Sequence, residues 1–126
     1  MWMNDTHYSG NPALDGMLRD TALSFQRLLE ALRVLAGDAS QNILDLYAKS
    51  GEVAVSQKSD ASPVTDADHA SHRLICESLT SLTPEIPVLS EESTLEQLIG
   101  RRDWPCCWMI DPLDGTREFL EGTGEF

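Results

Sequence analysis

Basic residues are scarce in this sequence. Nine Lys and Arg stand against 21 Asp and Glu, a formal charge of −12, which excludes the basic surface that nucleic-acid polymers and anionic membranes require. Apolar runs are short, Cys106-Cys107-Trp108-Met109-Ile110 being representative, so no segment is expected to cross a bilayer. The opening Met1–Gly10 has neither the basic head nor the apolar stretch of a signal peptide. Only three cysteines occur, two of them adjacent at Cys106 and Cys107. They make no disulfide framework and point to a reducing cytoplasm. What remains is globular in character: 41% of the 126 residues are apolar, with 8 glycines besides. The acidic excess suits a protein that gathers cations.

Gly10, Asn11 and Pro12 break any early pattern, and a disordered tail is expected over residues 1–13, with one incomplete domain over 14–126. From about Leu14 a helical pattern begins. Phe25, Leu28, Leu29, Leu32, Leu35, Ala36, Ala39, Ile43, Leu46 and Tyr47 recur at three- and four-residue steps. They predict one long helix, or two in line, closing near Ser50-Gly51. Gly37 inside it is expected to mark close packing. Val53-Ala54-Val55 is a short strand candidate. A second helix fits Asp66 to Leu82, with Ala67, Ala70, Leu74, Ile75, Leu79 and Leu82 on its apolar face and Pro84 as its stop. Ile86–Leu89 and Cys106–Ile110 read as buried strands, and Thr94–Gly100 as a short helix or turn. The pattern is a layered α/β arrangement with acids where strands end, the edge on which such proteins hold ligands. The strand at Cys106–Ile110 is expected to pair in a sheet whose further strands come from sequence after Phe126.

Asp111-Pro112-Leu113-Asp114-Gly115-Thr116 follows the second strand. Pro112 fixes φ and Gly115 permits a positive φ, so the chain can turn sharply and aim both carboxylates to one side, with the Leu113 carbonyl between them. Three hard oxygen donors on one turn suit Mg²⁺ or Mn²⁺. The Gly115 and Thr116 amides open a helical turn and can hold a phosphate. An ordinary Asp-Pro turn with Thr116 as N-cap explains the same residues equally well. Ser90-Glu91-Glu92, after the first strand, can send one carboxylate to a metal and leave the other in water; alone it reads as a solvated loop. Together the two acid sets sit on strands expected to neighbour each other.

Thr65-Asp66-Ala67-Asp68 opens the second helix as a capping box, Thr65 the N-cap and Asp68 its partner. The alternative places the Asp68 carboxylate near the metal site. An EF-hand is excluded, since its sixth position, counted from Asp66, is Ser71 rather than glycine. His69 and His72 are read as a solvated helix face, and Cys106 and Cys107 as core. Lys58 and Arg117, the basic residues near the acids in sequence, either contact phosphate or are simply exposed.

Three segments in order, Lys58–Asp68, Pro87–Glu92 and Trp108–Phe119, resemble the inositol-monophosphatase superfamily, and within it the CysQ-type 3'(2'),5'-bisphosphate nucleotidase branch. The Ser-Pro-Val-Thr and Leu-Ser-Glu-Glu runs, the Arg117-Glu118-Phe119 after Thr116 and the final Gly124-Glu125-Phe126 favour that branch. The resemblance covers roughly Phe25 to Phe126. It implies the N-terminal portion of an α+β, layered αβαβα sugar-phosphatase fold, and a lithium-sensitive, Mg²⁺-dependent phosphomonoesterase, with Mn²⁺ a substitute. The implied reaction, in sulfur-assimilation nucleotide recycling, removes the 3'-phosphate of 3'-phosphoadenosine 5'-phosphate to give AMP. The alternatives are an inositol- or sugar-phosphate phosphatase with the same site and an inactive metal-binding fragment. The implied partner is a small phosphorylated nucleotide, and the implied place is the cytoplasm or the cytoplasmic side of the inner membrane.

Residue by residue, the resemblance makes Glu91, Asp111 and the Leu113 carbonyl ligands of one metal, and Asp111 and Asp114 ligands of a second. Asp68 and Thr116 orient and help deprotonate the attacking water, with Glu91 grouped among the catalytic acids. Glu91, Leu113, Asp114, Gly115 and Thr116 line the substrate, the Gly115 and Thr116 amides holding the scissile phosphate. A further acid, in a Trp-Asp-x-x-Ala-Gly motif, belongs to a C-terminal half that this sequence does not contain.

Overall fold

A computed structural model describes residues 12–20, 23–53 and 63–126. Among the described residues, four helices and one small sheet follow in the order α1 (Pro12–Asp20), α2 (Phe25–Val53), α3 (Pro63–Leu82), β1 (Val88–Ser90), a 3₁₀ turn at Arg101–Asp103, β2 (Trp108–Ile110) and α4 (Thr116–Glu121). Pro12 and Ala13, assigned to the tail by sequence, open α1 instead. The pattern residues from Phe25 to Tyr47 all lie in the single helix α2, with Leu23 and Ser24 just ahead of it. The Ser24 hydroxyl accepts from the Arg27 amide, 3.2 Å away, and caps α2.

Helix α2 does not close at Gly51 but runs to Val53. Val53 is therefore helical, and the rest of the expected strand, Ala54-Val55, lies outside the described residues. Leu28, Leu35 and Ala39 are buried along one stripe, which Ile43, Leu46 and Tyr47 continue toward the C-terminal end. Gly37 faces solvent, and a Cβ there would meet nothing within 4 Å. The expectation of close packing at Gly37 is thus corrected. Gly37→Ala should raise stability by about 1 kcal/mol through helix propensity alone, read as a higher urea midpoint with an unchanged slope.

Helix α3 packs along α2. It buries Ala67, Ser71 and Leu79, four and eight residues apart on one face. It starts at Pro63, three residues before the expected Asp66, because proline lacks only an amide that the first turn leaves unpaired anyway. It stops where expected, before Pro84. The Thr83 hydroxyl donates to the Leu79 carbonyl at 3.0 Å and accepts from the Trp108 indole at 2.9 Å, tying the end of α3 to β2.

The strands are shorter than the apolar runs suggest, with Ile86 in a turn and Cys106 and Cys107 ahead of β2. Both cysteines are half-buried, and the Cys106 thiol donates to the Met17 sulfur at 3.4 Å, which holds α1 against this lead-in. Strands β1 and β2 pair in parallel, Val88 with Trp108, Leu89 with Met109 and Ser90 with Ile110. The fold is α+β and helix-rich, with this two-stranded sheet beside α3. Among the described residues no helix is long and apolar enough to cross a membrane.

Candidate functional site

Register sets the geometry. In a parallel pair, residues that follow matched positions also emerge side by side. Ser90 is matched with Ile110, so Glu91 and Asp111 leave the two strands together, and the Glu91 amide still donates to the Ile110 carbonyl at 3.3 Å. Both carboxylates are exposed at this edge. The Asp111 charge, assisted by slight desolvation and a hydrogen bond to Asp111, pushes the Glu91 carboxyl up from its ordinary value, with Glu92 and Asp68 adding to the effect.

Asp68 reaches the same edge from α3. Burial pushes its carboxyl up first, then the charges of Glu92 and Asp111 do so, while His69 pulls it down. Glu92, half-buried, thus belongs with the group rather than with solvent. Thr65 is the third residue of α3, not its N-cap, so the capping-box account of Asp68 is corrected.

The Asp111–Thr116 turn is built from its own groups. The Leu113 amide donates to Asp111 Oδ1 at 3.3 Å, a side-chain turn that holds the carboxylate over the bend. Leu113 is buried at 4% exposure, packed with Ala67 and Phe119. Its carbonyl accepts from Thr116 Oγ1 at 3.2 Å. Gly115, at φ 73°, is the residue that caps α4. A Cβ there would come within 3.1 Å of the Phe126 backbone, so both its φ and its close neighbour demand glycine. The expected capping by Thr116 is replaced by this glycine cap, with the Thr116 hydroxyl turned back to Leu113. Asp114 is exposed.

Helix α3 touches both acid-bearing turns. The Ser71 hydroxyl donates to the Pro112 carbonyl at 2.7 Å in a buried contact. His72 Nδ1 and Ser90 Oγ share a hydrogen bond of 2.8 Å, and the Cys76 thiol lies 3.6 Å from that nitrogen. His69 is exposed as expected, but His72 points inward, which corrects its assignment to a solvated face. Arg117 pairs with Glu121 at 3.0 Å on the surface, and Lys58 lies outside the described residues.

Glu91, Asp111, Asp114 and the Leu113 carbonyl are all hard oxygen donors, which fits Mg²⁺ or Mn²⁺ and no soft metal. The charges of Glu92 and Asp111 act on Asp68, and those of Asp111, Glu92 and Asp68 act on Glu91. Even so, among the described residues no three His, Cys, Asp or Glu side chains stand close enough together to form a ligand cage.

The sequence profile of the inositol monophosphatase family matches residues 24–126. The chain is 44% identical over 99 residues to the 3'(2'),5'-bisphosphate nucleotidase CysQ of Salmonella typhimurium, covering 79% of this chain and 40% of that protein. The proteins of the same name from Buchnera aphidicola (39% identical; 81% of this chain, 38% of theirs) and Haemophilus influenzae (38% identical; 80% and 37%) are similar to it as well. The chain thus spans about two fifths of the length of these curated relatives. No solved structure matches it. With the profile running from the start of α2 to Phe126 and through both acid-bearing turns, the chain belongs to the inositol monophosphatase family.

Proposed function

We propose that this chain supplies the acidic half of a metal-dependent phosphomonoesterase site whose substrate is a 3'-phosphorylated adenosine 5'-phosphate. The observation that carries the reading is the exit of Glu91 and Asp111 from adjacent parallel strands with Asp68 facing them. The neighbouring charges hold the Glu91 and Asp68 carboxyls up from their ordinary values, and a divalent cation relieves that cost. Glu91, Asp111, Asp114 and the Leu113 carbonyl would hold Mg²⁺ or Mn²⁺, which when bound acidifies water and neutralises charge on the leaving oxygen. Asp68 is the base in this scheme. Its raised carboxyl is closer to the range in which a base accepts a proton from water at neutral pH. Thr116, fixed by its bond to the Leu113 carbonyl, orients that water. The Gly115 and Thr116 amides take the phosphate oxygens.

The nucleotide substrate rests on the similarity to the 3'(2'),5'-bisphosphate nucleotidases and on Arg117-Glu118-Phe119 after the turn. The layered αβαβα arrangement, lithium sensitivity and a role in sulfur assimilation belong to the same reading. So does a reducing, cytoplasmic setting, to which the free thiols of Cys76, Cys106 and Cys107 are suited. A second reading is a metal-binding segment without turnover of its own, for which the hard oxygen donors of Glu91, Asp111 and Asp114 suffice.

A chimera tests the first reading. Residues 24–126 would replace the matching segment of the Salmonella typhimurium relative. With Mg²⁺ present, phosphate release from 3'-phosphoadenosine 5'-phosphate should exceed release from inositol 1-phosphate by at least about tenfold, a difference of ~1.4 kcal/mol in transition-state binding. Preference for inositol 1-phosphate would move the reading to the inositol or sugar phosphatases. A folded chimera inert on both would leave the metal-binding segment.

A further inference from the structure

We infer that Ser71 and His72 are positioning residues that hold the two acid-bearing turns at a fixed spacing around Asp68; the inference deepens the proposed function and rests on it. Consecutive residues on a helix point about 100° apart. Helix α3 uses that divergence to reach two consecutive strand exits. Ser71 Oγ binds the Pro112 carbonyl after β2 at 2.7 Å, and His72 Nδ1 binds Ser90 Oγ at the end of β1 at 2.8 Å. Asp68 lies three and four residues earlier, which puts it one turn away on the same side of α3.

Both anchor points are buried, Ser71 at 1% and Ser90 at 5% exposure. The Ser71 bond is buried and not freely exchanged for one with water, while losing the part-buried His72 bond leaves the Ser90 hydroxyl with the Glu92 amide but without its anchor on α3. Ser90 is also the hub of the acidic turn. Its Oγ accepts from the Glu92 amide at 3.3 Å, its amide donates to Ser93 Oγ at 3.0 Å, and its carbonyl accepts from the Ser93 amide at 3.0 Å. A shift of Ser90 thus carries Glu91 and Glu92 with it, and the strand pairing alone sets only the backbone register. The Cys76 sulfur, 3.6 and 3.8 Å from the two ring nitrogens, packs against the imidazole and fixes its orientation.

The test compares His72→Phe, which keeps a ring beside Cys76 but removes the nitrogen, with His72→Asn, whose amide places a polar atom near the Nδ1 position. Two readouts are taken on the whole chain: amide hydrogen exchange residue by residue, and Mn²⁺ affinity by calorimetry. In His72→Phe, exchange at Glu92 and Ser93 should quicken about tenfold while α2 keeps its protection, and Mn²⁺ should bind about tenfold more weakly. His72→Asn should restore both. Ser71→Ala should also weaken Mn²⁺ binding, with faster exchange confined to residues 113–116. Unchanged exchange at Glu92 and Ser93 in His72→Phe overturns the inference, and so does a uniform rise across all helices, which marks plain destabilisation. Normal Mn²⁺ affinity despite a loosened turn also overturns it, and in that case the proposed site stands. Absence of Mn²⁺ binding by the unmodified chain overturns the proposed site itself, and the positioning role falls with it.

Discussion

Asp111→Asn should abolish Mg²⁺ and Mn²⁺ binding. With hard oxygen donors from two turns, the unmodified chain is expected to bind in the millimolar range, about −4 kcal/mol at 1 mM. Asp111 stands beside Glu91 at the strand exits and is the largest influence on its carboxyl. It is also the one side chain that the reading gives to both metals, so neutralising it weakens both. Calorimetry should then show no heat beyond dilution. The same variant has a signature without metal. In the unmodified chain Glu91 and Asp68 are pushed up from their ordinary values, so the folded state holds protons more tightly than the unfolded state. Stability from this source is present at low pH and is lost as pH rises through the folded-state values. Thermal melts should accordingly move upward as the pH falls from neutrality toward the range where ordinary carboxylates titrate. Asp111→Asn removes the first cause acting on Glu91 and should flatten that rise. Full Mg²⁺ binding by the variant would sink the assignment of Asp111, and an unaltered pH response would remove its coupling to Glu91.

The meeting of Glu91 and Asp111 was legible in the sequence because two short apolar runs each end in acids, and a strand end is where a rigid edge can present them. The family resemblance covers the same turns. The limits of the elements were less legible. Thr65 followed by Asp68 has the form of a capping box, but Pro63 starts the helix earlier, since a first-turn proline loses no hydrogen bond. Gly51 has the form of a helix end, yet α2 continues to Val53. Gly37 suggested a close neighbour and has none. Glycine permits such contacts without requiring them. The inward turn of His72 left no local signal. Its partner Ser90 is 18 positions away, and only the docking of α3 against β1 brings them together. The same holds for Ser71 and Pro112, 41 positions apart. Pairing over such distances is a property of packing, which periodicity does not encode.

Asp68→Asn, made in the chimera with the Salmonella typhimurium relative, should lower kcat by about 10²–10⁴ with little change in KM, the scale for losing general-base assistance. The structure gives this variant a second, opposite signature. If Asp68 were the returning partner of a capping box, its replacement would cost about 1 kcal/mol of stability. Helix α3 begins at Pro63, however, and Asp68 is a half-buried carboxylate raised by burial and by Glu92 and Asp111. Asparagine keeps its size and removes the charge, so at neutral pH without metal the whole chain should melt at a higher temperature than the unmodified one. Thr116→Ala should cost a similar factor in kcat, because it removes the hydroxyl held 3.2 Å from the Leu113 carbonyl. Thr116→Ser, which keeps that hydroxyl, should stay within about tenfold of the unmodified rate, ~1.4 kcal/mol in activation free energy. A lower melt with normal turnover in Asp68→Asn would return Asp68 to a purely structural role. A higher melt with slow turnover is the combination expected of a base held among other acids, where charge that destabilises the fold is what accepts the proton from water.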